Sequence, residues 1–378
     1  MRRAVCVPLV CLLAALASAA ATSPAAAASP PPPSMSASSA IIIDRVSGRV
    51  LWGKGKHQRR PMASCTKIMT ALLVVERCRD LTRVIRAPQG IDSMSGIGLV
   101  GGDRITIRQA LLAMMVKSAN DAGYTLACSV AGSEKRFVRM MNRRAAKLKL
   151  RDTHYDNCTG SIHDRRHVSS VYDLAMLGRY AMRNARFRDI AGRLRATIHW
   201  QPNHVFHAHG NNLLLYQDWA DGIKCGYTPV AGYCLVGSGK PGLRALITAT
   251  LHAPDRKKDA LDHQALFAWG SSLYEELTIV TAGDEVTTVP VEGGGSVSVV
   301  AATTFPAVVR TGGLDGGAVV MHGFIGLPAS FKTPPAPGTS AGSVVYKADG
   351  VKLGTVPLVV ATPPPPPTES PSPASDPF

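Results

Sequence analysis

The order of hydrophobic textures along the chain constrains the fold most. Ile41-Ile42-Ile43-Asp44 and Arg49-Val50-Leu51-Trp52 flank a Ser47-Gly48 turn and predict a β-hairpin. Helical periodicity then takes over. It marks stretches from Ser64 to Arg77, from Thr106 onward, from Asp121 to Val130, from Glu134 to Leu148 and from Val171 to Arg183. Strand-like sequence returns with Cys234 to Ser238 and Leu243 to Ala249, joined across Gly239-Lys240-Pro241-Gly242. A last helix is expected over Asp259 to Tyr274. Strand, helices, strands and a closing helix imply an α+β domain with helices packed on an antiparallel sheet.

At 378 residues the chain exceeds what one core usually holds, so a second, smaller domain is expected. After about Leu277 the sequence turns Val-, Thr- and Gly-rich. Its short runs (Val286 to Val291, Ser296 to Val300, Ala307 to Arg310, Ser343 to Tyr346, Thr355 to Val360) read as a small all-β domain. At the N-terminus Arg2 and Arg3 precede an apolar run from Ala4 to Leu16. Two Ala-x-Ala candidates follow, Ala17-Ser18-Ala19 and Ala26-Ala27-Ala28, the layout of a secretory signal. The expected division is a signal peptide over 1–28 and a Pro/Ser-rich linker over 29–38. Then come the main domain over 39–275, the β-rich domain over 276–361 and a disordered Pro-rich tail over 362–378. The mature protein is therefore expected outside the cytoplasm, in a periplasm or cell wall, with membrane association left open.

Lys and Arg exceed Asp and Glu by 42 − 26 = 16, and by 14 once the two signal arginines are removed. That excess suits an anionic wall polymer or membrane surface. The basic residues are scattered and lack interleaved aromatics, which argues against nucleic acid. Loss of Cys6 and Cys11 with the signal leaves Cys65, Cys78, Cys128, Cys158, Cys225 and Cys234, enough for three disulfides of undetermined pairing. The His-rich stretch from His199 to His209 has loop-like spacing. It lacks carboxylate or Cys partners, so neither a metal nor an organic cofactor is expected.

Three short signals could carry chemistry. In Ser64-Cys65-Thr66-Lys67 the Ser and Lys share one face of a helix at its N-terminus, so the amine can reach the hydroxyl and act as its base. Ser118-Ala119-Asn120 places a hydroxyl and an amide between two helices, although both residues are also good helix caps. Lys224-Cys225-Gly226 lies on a strand whose glycine would let a substrate come close. Each is weak alone; a capping Ser and an exposed Lys would explain the first equally well.

Together, in this order, they match the signature of penicillin-binding proteins and serine β-lactamases. The flanks narrow it. Met62 to Leu73, Ser118 to Ala122, His167 to Ala175, and Asp221 to Thr228 with Ala231-Gly232-Tyr233 resemble the low-molecular-mass penicillin-binding proteins, the D-alanyl-D-alanine carboxypeptidases. The resemblance covers roughly residues 39–275, and the β-rich remainder is similar to that family's C-terminal domain. It implies that Ser64 attacks the carbonyl between two D-alanines of a peptidoglycan stem peptide and that Lys67 accepts its proton. Ser118 would relay that proton to the departing amine, with Lys224 in support, and Asn120 would orient the acyl side. Backbone N–H groups of Ser64 and Tyr227 would form the oxyanion hole. β-Lactams would acylate Ser64. Cys225 stands where the family usually has a Thr whose hydroxyl binds the terminal carboxylate, so weaker affinity is expected. A Cys65–Cys225 disulfide across the site is an alternative to two separate thiols. D,D-endopeptidase, β-lactamase and a non-catalytic wall-binding relative are the competing functions. A β-lactamase would need a deacylating Glu that the sequence does not offer.

Overall fold

The computed structural model describes residues 30–161, 166–310, 319–348 and 350–362. The expected signal peptide and nearly all of the tail lie outside these. In chain order, β1 (Ser39–Asp44) and β2 (Val50–Lys54) form the expected hairpin. The two-residue β3 (Arg60–Pro61) leads into a single 3-10 turn, Ala63–Thr66, and α1 (Lys67–Arg77). β4 (Val84–Arg86), β5 (Arg104–Thr106), α2 (Ile107–Leu112), α3 (Asn120–Ala131) and α4 (Glu134–Lys147) follow. Then come β6 (Val168–Ser169), α5 (Val171–Ala181), α6 (Ala185–Ala191), β7 (Arg195–Gln201) and β8 (His204–His209). β9 (Ala220–Thr228), β10 (Gly232–Gly239), β11 (Leu246–Ala253) and α7 (Arg256–Ser271) complete the main domain. The remaining strands are β12 (Tyr274–Val280), β13 (Glu285–Pro290), β14 (Ser296–Ala301), β15 (Phe305–Arg310), β16 (Val319–Ile325), β17 (Ser340–Ala348) and β18 (Val351–Val360).

The main sheet has the order β2-β1-β11-β10-β9, with every neighbouring pair antiparallel, so β9 is an edge strand. Helices cover both faces. α1 is buried along Lys67 to Val75 and packs against α3 and α5. On the other face Leu266 and Phe267 of α7 meet Ile42, Leu235 and Leu246. Ahead of β1 the chain is pinned to α7. Ser36 and Ala37 donate to the Asp262 carboxylate, and Trp269 Nε1 donates to the Pro30 carbonyl at 2.8 Å. Beyond α7 the strands form a β-rich unit with a core of its own, including Val299, Val344 and Leu358.

Several boundaries differ from the sequence reading. β11 starts at Leu246, not Leu243. α7 starts at Arg256, where Asp255 caps it through Lys258 N, and ends early enough for Tyr274 to open β12. The short α6 was not anticipated. The His-rich stretch is a strand rather than a loop: β8 completes a sheet of order β4-β5-β7-β8. Its outward polar side chains hide the strand pattern. All six described cysteines are free thiols, so neither three disulfides nor a Cys65–Cys225 bridge forms.

Candidate active site

Ser64 sits in the 3-10 turn and Lys67 begins α1, so the Ser-x-x-Lys spacing turns both side chains to one side. Lys67 Nζ lies 2.9 Å from Ser64 Oγ, 2.7 Å from Asn120 Oδ1 and 2.8 Å from the Thr159 carbonyl oxygen. The last two atoms can only accept. A neutral amine would give them its two N–H groups and keep its lone pair for the Ser64 hydroxyl. Lys67 is fully buried, and burial followed by the nearby Lys224 ammonium holds its amine well below the ordinary lysine range. Both effects favour the neutral base.

The Asn120 side chain is clamped, because its Nδ2 donates to Ser95 Oγ at 2.7 Å. Next to it the buried Asp121 carboxylate accepts from the backbone N–H groups of Ile97, Gly98 and Leu99 and so folds the Ser95–Leu99 loop onto the start of α3. Asn120 thus orients Lys67 in this structure, a part the sequence reading did not give it. Ser118 occupies a left-handed conformation (φ 66°) between α2 and α3 and borders the same cleft. Its hydroxyl makes no hydrogen bond among the described residues. Lys224 is almost fully buried on β9, and its Nζ donates to the Cys225 carbonyl at 2.8 Å.

The cleft holds about 930 Å³ and is bordered by Ser64, Ser118, Lys224, Cys225, Gly226 and Tyr227 together with Tyr233 and the first turn of α7. Gly226 is needed for a different reason than expected. A Cβ there would lie 2.6 Å from Ser64 N, 3.0 Å from the Ala63 side chain and 3.2 Å from Cys65 N. The missing side chain admits the nucleophile turn itself. Gly160 does the same from the opposite side, where a Cβ would strike the Ala63 carbonyl at 1.9 Å. Between these two walls Ala63 adopts φ 45°, a strained value for a residue with a side chain. Thr66 Oγ1 donates to the Ala63 carbonyl at 2.8 Å and meets His167 Nε2 at 2.7 Å. His167 Nδ1 accepts from Asp156 N, which leaves the ring proton on Nε2 to donate to Thr66.

The cysteines divide by exposure. Cys65 is buried with its Sγ 3.5 Å from the Lys224 carbonyl, and burial pushes its thiol well up. Burial raises Cys234 to about 12. Cys225 and Cys234 both border the cleft, and of these three Cys225 alone is half-buried. The Ser64, Lys67, Ser118, Asn120, Lys224, Cys225, Gly226 and Tyr227 positions therefore converge. Sequence reasoning missed the Thr159 carbonyl, the Ser95 clamp, the Thr66–His167 brace and the α7 N-terminus. Thr159 acts through a backbone atom and leaves no side-chain signal. His167 and Thr66 lay within quoted motifs but were not given a role.

No metal-ligating group of three or more His, Cys, Asp or Glu occurs among the described residues. Comparison with known proteins agrees with the geometry. The chain is 29% identical over 327 residues to the D-alanyl-D-alanine carboxypeptidase DacF of Bacillus subtilis, spanning 84% of this chain and 83% of that protein. It is 32% identical over 276 residues to DacD of Escherichia coli, spanning 66% of each. Penicillin-binding protein 5 of Haemophilus influenzae superposes with a TM-score of 0.63 at 25% identity, covering 88% of this chain and 98% of that one. The Streptomyces K15 DD-transpeptidase superposes at 0.60 with 28% identity, covering 64% of this chain and all of that one. A family model described as D-alanyl-D-alanine carboxypeptidase matches residues 25–255, and the chain belongs to that family, peptidase family S11.

Proposed function

We propose that Ser64 is the nucleophile and Lys67 its general base in a serine-type D-alanyl-D-alanine carboxypeptidase acting on peptidoglycan stem peptides. The observation that carries this reading is the buried Lys67 amine, 2.9 Å from Ser64 Oγ, with two pure acceptors holding its N–H groups. Lys67 takes the hydroxyl proton as Ser64 Oγ bonds to the carbonyl carbon between the two D-alanines. The N–H groups of Ser64 and Tyr227 receive the developing oxyanion, where one donor is worth about 2.7–4 kcal/mol. Collapse breaks the C–N bond. Ser118 passes the proton to the leaving amine under the field of Lys224. Water, activated by Lys67, then hydrolyses the acyl-enzyme and restores Ser64. Lys224 and Cys225 receive the terminal carboxylate, and Asn120 holds Lys67 and the acyl side in register. β-Lactams acylate Ser64 by the same first step.

This reading divides the chain into a catalytic unit from about residue 39 to the end of α7 and a β-rich unit from β12 to about residue 361. The enzyme works outside the cytoplasm. Among the described residues no helix is long and apolar enough to cross a membrane, and the basic excess of the chain fits contact with an anionic wall or membrane surface. Intact-mass analysis after benzylpenicillin tests the mechanism. An adduct of one penicilloyl group in the wild type, absent in Ser64→Ala, is the expected result. A folded wild type that gains no adduct would overturn it.

A further inference from the structure

The four-stranded sheet beside the cleft has an outer face that the reaction does not use. Register fixes which side chains share that face. Arg86 lies opposite Arg104, and Arg104 opposite Gln201. Along the next pair Arg195 faces His209, Thr197 faces His207, and His199 faces Val205. The alternate positions, Ile85, Ile105, Ile198 and Trp200, are buried beneath. All six basic side chains on this outer face are exposed, and no outward position on the four strands is Asp or Glu. None of the three arginines forms an ion pair among the described residues. From Arg195 to Gln201 the face runs about 20 Å, at about 3.3 Å per residue.

The array leads to the cleft. β8 ends at His209, and Asn211, two residues on, borders the site. Lys117, also on the cleft border, lies 5.6 Å from the ring centre of Phe206, on the inner face of the same strand. A chain entering the cleft past the end of β8 would run beside the basic face.

We propose that this face holds the peptidoglycan strand itself, binding carboxylates of stem peptides next to the one being cleaved. The proposal rests on the activity given above. Every uncrosslinked stem peptide ends in a carboxylate, so a glycan strand bearing such stems presents these groups in a repeating row. The guanidinium fork matches a carboxylate bidentately. The enzyme then turns over stem peptides on a polymer faster than the same peptide free in solution, and salt erases the difference.

The test is the triple variant Arg86→Ala, Arg104→Ala, Arg195→Ala in the full chain. All three side chains are exposed, so the fold is retained. D-Alanine release is measured on a short acylated D-alanyl-D-alanine peptide and on soluble, uncrosslinked glycan strands with intact stems. The variant keeps wild-type kcat/KM on the short peptide and loses about three- to tenfold on the strands. Salt at 0.5 M brings the wild type down to the variant. Unchanged turnover of strands would overturn the proposal, as would equal loss on both substrates. So would a variant that releases acidic phospholipid vesicles but cleaves strands normally, since that result assigns the face to a membrane. A wild type inert toward the short peptide would instead refute the activity on which the proposal rests.

Discussion

Gly226→Ala isolates the packing of β9 against the nucleophile turn. The new methyl would lie 2.6 Å from Ser64 N, and ordinary contact begins near 3.4 Å, so strand and turn must separate by about 0.8 Å. The atoms it meets belong to backbone and to the short side chain of Ala63, which cannot rotate away. Overpacking of this kind costs about 1–3 kcal/mol. In a domain of this size that is a fall of about 2–12 °C in Tm. The larger effect is on chemistry. In the mechanism proposed above the displaced N–H is one of the two oxyanion donors, and losing one costs about 2.7–4 kcal/mol, or about 100- to 1000-fold. The assay is the rate of penicilloyl adduct formation by intact mass, run beside thermal unfolding. Gly323→Ala is the control, because a methyl there meets nothing within 4 Å. A Gly226→Ala protein acylated within threefold of the wild-type rate would refute the argument that β9 and the turn share this space.

Lys67→Arg keeps a cation that cannot deprotonate; acylation falls at least about 100-fold, and the acid limb of the wild-type pH–rate profile disappears. That limb follows from the sign of the Lys67 shift, since burial favours the neutral amine and the rate climbs as pH rises through its lowered value. Cys225→Thr replaces a weak donor with a hydroxyl and raises kcat/KM for D-alanyl-D-alanine peptides about three- to tenfold, near the net worth of one hydrogen bond; initial rates of D-alanine release check it. Asp44→Asn breaks a buried hub that accepts from Ser47 N, Arg244 Nε and Tyr274 Oη. Burial works to raise the Asp44 carboxyl, but these partners outweigh it and hold the group below its ordinary value. The stabilisation linked to its ionisation is present above the unfolded value near 4 and is lost as pH falls through the lower folded one. Thermal unfolding against pH therefore shows a gap between wild type and variant at pH 7 that closes in acid.

What could be read from the sequence was whatever is local. The Ile41–Ile43 strand, the α1 stripe and the Ser64–Lys67 spacing all express periods of two or 3.6 within a few residues, and each survives in the structure. The Lys224 strand was legible for the same reason. Elements defined by distant partners were not. β4 and β5 are three residues each and exist as strands because they pair with one another and β5 with β7, so no run of residues announces them. β8, His-Val-Phe-His-Ala-His, breaks polar–apolar alternation and looks like a loop until Ile198 and Phe206 are seen opposed. Gly226 was assigned to the substrate because the turn it accommodates lies some 160 residues earlier. The Thr159 carbonyl that completes the lysine's surroundings has no signature at all.

The register of the main sheet dictates when the site can come into being. Ser39 pairs with Leu251 and Asp44 with Leu246, so the central strand pairing closes a loop of about 200 residues. Closing loops of that length is slow, because many residues must be ordered before the distant contact contributes. Ser64 and Lys67 can meet within one helical turn at any time. The Lys224 ammonium and the Gly226 wall arrive only with β9, and β9, as an edge strand, is held by β10, which in turn pairs with β11. A nascent chain therefore carries a serine and a lysine but no acylating centre until almost the whole main domain has emerged. Under the mechanism proposed above, chains that stop short of Ala253 are expected to stay inert toward penicillin.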